Sequence, residues 1–170
     1  VGEDGATHHG VFDIAYLRCI PNMVIFAPMD EMQLRNIMFT AQLGLNGPIA
    51  IRYPRGNGVN LDWKNKFERI EMGTARCLKE GGKMAILTLG HVGNEMRSLI
   101  QSLNRPELVA HFDMRFAKPL DKQTLRTIFE KYEQIITVED GCITGGFGSA
   151  VLEFANEEGY SKPVKIFGVP

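Results

Sequence analysis

Apolar and polar positions along this chain alternate between two periods, and that alternation predicts its elements. Residues 23–27 form a continuous apolar run bounded by Pro21 and Pro28, the pattern of a strand covered on both faces. Ahead of it, 12–17 predict a short helix with Asp13 in the first turn, Phe12, Tyr16 and Leu17 on one face, and Pro21 beyond its end. After it, Asp30 stands where a helix cap is needed. Met32, Leu34, Ile37, Met38, Ala41 and Leu45 then recur at helical spacing, with Gly44 and Gly47 as the stop. Residues 48–53 predict a second buried strand. Strand, helix and strand with short connections predict a parallel α/β arrangement.

The pattern breaks between 56 and 66, where Gly, Asn, Asp and Lys are common and Leu61 and Trp63 are apolar at close spacing. A linker is expected over 61–70, with Trp63 packing it onto a domain. From Gly73 a second alternation begins, predicting strands at 74–78, 84–89, 108–114, 135–138 and 164–167 and helices at 93–103, 124–132 and 148–158. The inward positions are Met96, Leu99, Ile100 and Leu103 on the first of these helices and Leu125, Ile128 and Phe129 on the second. The expected fold class is therefore α/β, with two consecutive α/β domains and mainly parallel sheets, over 1–60 and 71–170. No fixed short repeat or low-complexity tract points elsewhere.

Composition narrows the classes of function. With 170 residues, 44% of them hydrophobic, the chain has enough apolar material for a real core. Nineteen basic and twenty acidic residues leave a formal charge of −1 without a basic stripe, so neither nucleic acid nor an anionic membrane is an expected partner. Cys19, Cys77 and Cys142 are widely spaced and odd in number, which argues against a disulfide framework and a C-x-x-C metal site and fits a reducing cytosol. No apolar run approaches the ~20 residues of a membrane span. The chain opens inside a Gly-rich loop and stops just after an apolar strand-like run, so flanking sequence is expected at both ends.

Candidate chemistry gathers in two loops. The opening stretch Val-Gly-Glu-Asp-Gly-Ala-Thr-His-His-Gly places Asp4, Thr7, His8 and His9 among glycines 2, 5 and 10. Such a loop offers acceptors, a hydroxyl and titratable nitrogens with close backbone approach, and is expected to line a pocket. Arg52-Tyr53-Pro54-Arg55-Gly56 follows the second strand, where ligands sit outside the carboxyl ends of α/β sheets, and two guanidinium groups there invite an anion. The glycine loop at 141–148 matches neither G-x-G-x-x-G nor the P-loop, and tight strand-to-helix packing is expected of it. Glu139 and Asp140 read as a solvated turn, His91 and His111 as structural histidines, and Cys142 as a thiol without a neighbouring base.

Taken together, Glu3-Asp4-Gly5-Ala6-Thr7-His8-His9-Gly10 resembles the E-D-G-x-T-H loop of the transketolase-like thiamine diphosphate enzymes. More narrowly, the stretches 8–13, 16–23 and 52–56 and Asp113-Met114-Arg115-Phe116-Ala117-Lys118-Pro119-Leu120-Asp121 resemble the 1-deoxy-D-xylulose 5-phosphate synthase family, in order and over essentially the whole chain. The resemblance implies that 1–60 is the later half of a pyrimidine-binding domain, 61–70 a linker, and 71–170 a transketolase C-terminal-like domain. It implies a transferase that condenses pyruvate with D-glyceraldehyde 3-phosphate, with loss of carbon dioxide. That product feeds isoprenoid, thiamine and pyridoxal biosynthesis. Thiamine diphosphate and Mg2+ are the implied cofactors, with their main ligands upstream of this chain, so the chain alone is expected to be inactive. A cytoplasmic homodimer is implied as well. Carried over residue by residue, Asp4 and His8 are the catalytic and substrate-binding candidates, Arg55 the clamp on the acceptor phosphate, and Arg52 a weaker substrate-binding candidate. Ala6 replaces a proline often seen there, a backbone change that removes no catalytic group. The alternatives are transketolase itself, the beta subunit of a 2-oxoacid dehydrogenase, or a non-catalytic dimerisation or regulatory module of the same fold.

Overall fold

A computed structural model of the chain describes residues 5, 8–58 and 64–170. Helix α1 (Asp13–Arg18) leads into strand β1 (Val24–Phe26), helix α2 (Glu31–Gln42) and strand β2 (Ile49–Ile51). After the connecting segment come β3 (Arg76–Lys79), β4 (Met84–Thr88), α3 (Val92–Gln101), β5 (Val109–Asp113) and β6 (Phe116–Lys118). The chain ends with α4 (Lys122–Lys131), β7 (Gln134–Cys142), α5 (Phe147–Glu157) and β8 (Val164–Val169). The strands form two sheets, ordered β2-β1-β6 and β3-β5-β4-β7-β8. Pairing is parallel for β1 with β2, for β4 with β5 and β7, and for β7 with β8. It is antiparallel at β6 and β3, which close one edge of each sheet. Among the described residues no helix is long and apolar enough to cross a membrane.

Strand β6 has no counterpart in the sequence pattern, and it joins the two halves of the molecule. Straight after β5 of the larger sheet the chain turns at Arg115, whose φ of 57° lies in the left-handed region, and Phe116 and Lys118 pair with Phe26 and Ile25 of the smaller sheet. The turn is held by its own side chains. Asp113 Oδ1 accepts from the Arg115 N–H at 3.2 Å, and the Arg115 guanidinium donates to the Thr74 carbonyl at 2.8 Å and to its hydroxyl at 2.6 Å. Phe116 meets Phe26 edge-on with ring centroids 4.8 Å apart, in a cluster with Ile37 and Ile70. The main core is continuous across both sheets, from Ile14, Ile25 and Ala27 to Leu87, Phe112, Phe129 and Phe147. Each fully buried side chain of this size contributes about 1.5–3 kcal/mol through the hydrophobic effect.

Helix α2 corrects the face expected from its periodicity. Asp30 caps it as expected, accepting from the Gln33 N–H at 2.8 Å. Met38, however, is 51% exposed, while Gln33, Asn36, Ile37 and Thr40 are buried. The reason is a strap of irregular backbone, residues 68–70, laid against the helix. The Glu68 N–H donates to Asn36 Oδ1 at 3.2 Å and the Ile70 N–H to Thr40 Oγ1 at 2.9 Å. Polar side chains on that face satisfy backbone donors that burial would otherwise leave unpaired. On α3, Ile100 is buried but Leu99 is 51% exposed, and Leu103, just past the helix end, is 41% exposed, because the inward stripe is Met96 and Ile100 against Ile86 and Val109. Helix α4 buries Leu125, Ile128 and Phe129 as the sequence predicts.

Candidate functional site

The carboxyl ends of parallel strands from both sheets converge on one cluster. Arg52 follows β2, His91 follows β4, and Asp140 lies in the extended end of β7. Close approach of the two sheets is possible because residue 90 is glycine: at its φ of +79° an added Cβ would stand 3.2 Å from Ala27 Cβ. Arg52 Nη1 pairs with Asp140 Oδ1, and Arg52 Nη2 donates to the Gly10 carbonyl at 3.3 Å. The other oxygen of Asp140, Oδ2, lies 3.4 Å from His91 Nδ1. One carboxylate thus faces two basic side chains from different sheets, and one of them, Arg52, holds the opening loop. The same loop is bound to the larger sheet by the Cys142 N–H, which donates to the Val11 carbonyl at 2.9 Å.

Beside this cluster is a cavity of about 560 Å³ whose walls include Pro28, Met29, Tyr53, Arg55, His91 and Asn94. Its floor is fixed by the Asn94 side chain, which donates to the Met29 carbonyl at 2.7 Å. Arg55 is exposed on the loop that forms one wall. His8 is exposed on the opening loop, its N–H donating to the Gly5 carbonyl at 3.0 Å, and it is not among the residues lining this cavity. Asp4 lies outside the described residues. The two candidate loops are therefore joined through Arg52 and Gly10. Arg52 itself is mostly buried, its charge met by Asp140, and its Nε is buried without a partner among the described residues.

Glu139 and Asp140 are not a turn. They are successive residues of β7, so their side chains leave opposite faces. Asp140 faces Arg52 and His91. Glu139 faces the start of α5, where its carboxylate accepts from the Phe147 and Gly148 N–H groups at 2.9 and 2.8 Å. Burial pushes the Glu139 carboxyl up from its ordinary range, and those two donors pull it back. The helix end where a phosphate would sit is thus filled by a carboxylate, and the glycine loop serves packing. A Cβ on Gly148 would stand 2.5 Å from Ile166 Cγ2 and 2.6 Å from Thr137 Oγ1. His111 is structural as expected. It is buried with Nε2 3.0 Å from the Thr88 hydroxyl, and burial lowers its pKa to about 4. Cys142 is buried, its thiol donating to the Thr144 carbonyl at 3.2 Å.

Residues 73–170 match the family described as transketolase, C-terminal domain, and residues 1–59 match transketolase, pyrimidine binding domain. The chain belongs to the transketolase family. Within that family it is 53% identical to the 1-deoxy-D-xylulose-5-phosphate synthase of Cytophaga hutchinsonii over 99% of this chain and 27% of that protein. It is 50% identical to the same enzyme of Porphyromonas gingivalis over 100% of this chain and 27% of that protein. A solved transketolase-family structure described as "Split gene transketolase, inactive beta4 tetramer" aligns with a TM-score of 0.80 at 32% identity, covering 98% of this chain and 55% of that one. The chain spans about a quarter of the length of these curated relatives. The α/β fold with mainly parallel sheets is that of the transketolase family, as the sequence predicts.

Sequence reasoning passed over His91 and Asp140 as site residues. The rule that placed Arg52 and Arg55, that ligands gather outside the carboxyl ends of strands, applies equally to His91 after β4. Nothing in the sequence pairs Asp140 with Arg52, because that contact joins two sheets across 88 positions.

Proposed function

We propose that this chain is part of a 1-deoxy-D-xylulose 5-phosphate synthase, in which it presents the site for the acceptor substrate. The observation that carries this reading is identity near 50% along the entire chain to that enzyme, with Arg55 set over a cavity at the carboxyl ends of the strands. In this reading residues 1–60 belong to the pyrimidine-binding domain and 71–170 to the C-terminal domain. The whole protein joins pyruvate to D-glyceraldehyde 3-phosphate, releases carbon dioxide, and supplies isoprenoid, thiamine and pyridoxal biosynthesis. It acts as a cytoplasmic homodimer.

The roles of the residues follow from their chemistry. Arg55 presents a planar fork of donors to the phosphate of the acceptor. Asp4 accepts from the acceptor's hydroxyl end, and His8 hydrogen-bonds the donor substrate or moves a proton at it. Arg52, already paired with Asp140, sets the position of the opening loop through the Gly10 carbonyl and reaches substrate only secondarily. Thiamine diphosphate, when bound, supplies the carbanion chemistry of such enzymes. The described residues do not fit its metal-diphosphate end. They contain no group of three His, Cys, Asp or Glu arranged for a metal ion, and Glu139 fills the α5 terminus. By the resemblance to the synthase family, Mg2+ and the diphosphate are assigned to sequence upstream of this chain, and the 170 residues alone are expected to show no turnover.

The test is Arg55→Gln in the whole protein. Loss of a charge-assisted contact worth about 1.5–3 kcal/mol raises KM for D-glyceraldehyde 3-phosphate by roughly ten- to a hundredfold and leaves KM for pyruvate unchanged. An unchanged acceptor KM contradicts the assignment. For the chain in isolation a second reading, an association module, is favoured by Phe12, the N-cap of α1, and Tyr16 within it, which are 64% and 56% exposed. Sedimentation of the chain with Phe12→Ser and Tyr16→Ser tests it: a shift from dimer to monomer supports association, and an unchanged state opposes it.

A further inference from the structure

The cavity beside Arg55 has a second basic residue on its wall, held in place from behind. His91 stands at the start of α3, and its Nδ1 lies 3.4 Å from Asp140 Oδ2. The two ring nitrogens diverge, and Nε2, on the edge away from Asp140, has no hydrogen-bond partner among the described residues. His91 also lines the cavity. We propose that His91, oriented by Asp140, is a substrate-binding residue that grips the phosphate of the acceptor together with Arg55. This inference rests on the acceptor-site reading given above and adds to it a second basic residue and the carboxylate that positions it.

The charges around the cavity favour His91 over Arg52 for this task. Arg52 lies on the same sheet edge, but its guanidinium is engaged by Asp140 and by the Gly10 carbonyl, which turns it toward the opening loop. Asp30 lines the cavity, yet its Oδ1 is used as the cap of α2. Glu31 and Glu95 line it too, and a bound anion needs more than one cation to offset them. Helix α3 has no side-chain cap, so the positive end of its dipole adds to the field of His91 on the same wall. The ring edge at Nδ1 faces the Asp140 carboxylate 3.4 Å away, which leaves the Nε2 edge for a phosphate oxygen, where an N–H donor makes a charge-assisted hydrogen bond. Asp140 is then a positioning residue. It fixes the ring, and through Arg52 it ties the opening loop to the same wall.

The experiment compares His91→Gln, His91→Lys, Asp140→Asn and Arg55→Gln in the whole protein, with D-glyceraldehyde 3-phosphate and phosphate-free D-glyceraldehyde as acceptors. His91→Gln is expected to raise KM for the phosphorylated acceptor about tenfold, the size of one charge-assisted hydrogen bond, with kcat and KM for pyruvate changed less than twofold. Its effect should vanish with D-glyceraldehyde. His91→Lys, which restores a cation, should recover most of the loss, and Asp140→Asn should show part of it. An unchanged acceptor KM in His91→Gln, or an equal loss with both acceptors, overturns the inference. If Arg55→Gln weakens the acceptor and His91→Gln does not, the inference falls while the synthase reading stands. If no product forms at all, the synthase reading falls. Calorimetric titration of inorganic phosphate into the whole protein then tests the phosphate grip itself: tenfold weaker binding in His91→Gln than in the unaltered protein supports it, and equal binding in the two, or none in the unaltered protein, overturns it.

Discussion

Replacing Phe116 by alanine tests whether the two sheets fold as one unit. Phe116 is fully buried on β6, the strand that leaves the larger sheet to complete the smaller one, and its ring packs against Phe26, Ile37 and Ile70. Truncating a buried phenylalanine removes its transfer energy and leaves a cavity, together costing about 3–5 kcal/mol. That is a large part of the ~5–15 kcal/mol that holds a domain folded. With a urea slope of about 2 kcal/mol per molar, the midpoint should fall by roughly 1.5–2.5 M. Phe129→Ala, on α4 against Phe154 and Tyr160, provides the control from the other sheet, with a cost of the same order. Because the main core runs from Ile25 and Ala27 to Phe129 and Phe147, both variants should shift a single transition with the slope unchanged, whether followed by far-UV or near-UV circular dichroism. A biphasic curve for Phe116→Ala, with the larger sheet unfolding at the unaltered midpoint, would refute the coupling.

Other expectations follow from single contacts. Burial lowers the His111 pKa to about 4 from 6.5, so the stability tied to its neutral form is complete above pH 6.5 and is lost as pH falls toward 4. Asp113 and Glu139, both raised by burial, act in the opposite direction, so the test is a difference: from pH 7 to 4, His111→Gln should lose roughly 3 kcal/mol less than the unaltered chain in urea titrations, and parallel losses would oppose this. Glu139→Ala strands the Phe147 and Gly148 N–H groups at roughly 1–3 kcal/mol each, and hydrogen exchange at those two amides should accelerate more than elsewhere in α5. Gly148→Ala puts a methyl 2.5 Å from Ile166 and 2.6 Å from Thr137 and should cost about 1–3 kcal/mol by overpacking; a thermal midpoint equal to that of the unaltered chain would show that β8 can give way.

The strands β1 and β4 and the helix α4 were legible because continuous apolar runs and a 3.6-residue period report burial directly. Strand β6 was not, since three residues between Arg115 and Pro119 are too few to show a period, and their partner lies about 90 positions away in β1. The inward face of α2 departs from its hydrophobic periodicity for a different reason: Asn36 and Thr40 are buried to satisfy the backbone of a strap, a need that hydrophobicity does not encode. At the site, the arginine loop and the opening loop stood out by composition and strand-end position. The bond between them did not, because Arg52, Asp140 and His91 come from three separate segments that only the packing of two sheets brings together.

The most direct measurement of the central claim is the product formed by the whole protein from pyruvate labelled with 13C at C2 and D-glyceraldehyde 3-phosphate, followed by NMR. The account requires the label to appear at the ketone carbon of 1-deoxy-D-xylulose 5-phosphate, with release of unlabelled carbon dioxide, and no transfer from a ketose donor or to a lipoyl acceptor. Turnover with a ketose donor or a lipoyl group, and none with pyruvate and D-glyceraldehyde 3-phosphate, would contradict it and move the chain to another branch of the transketolase family.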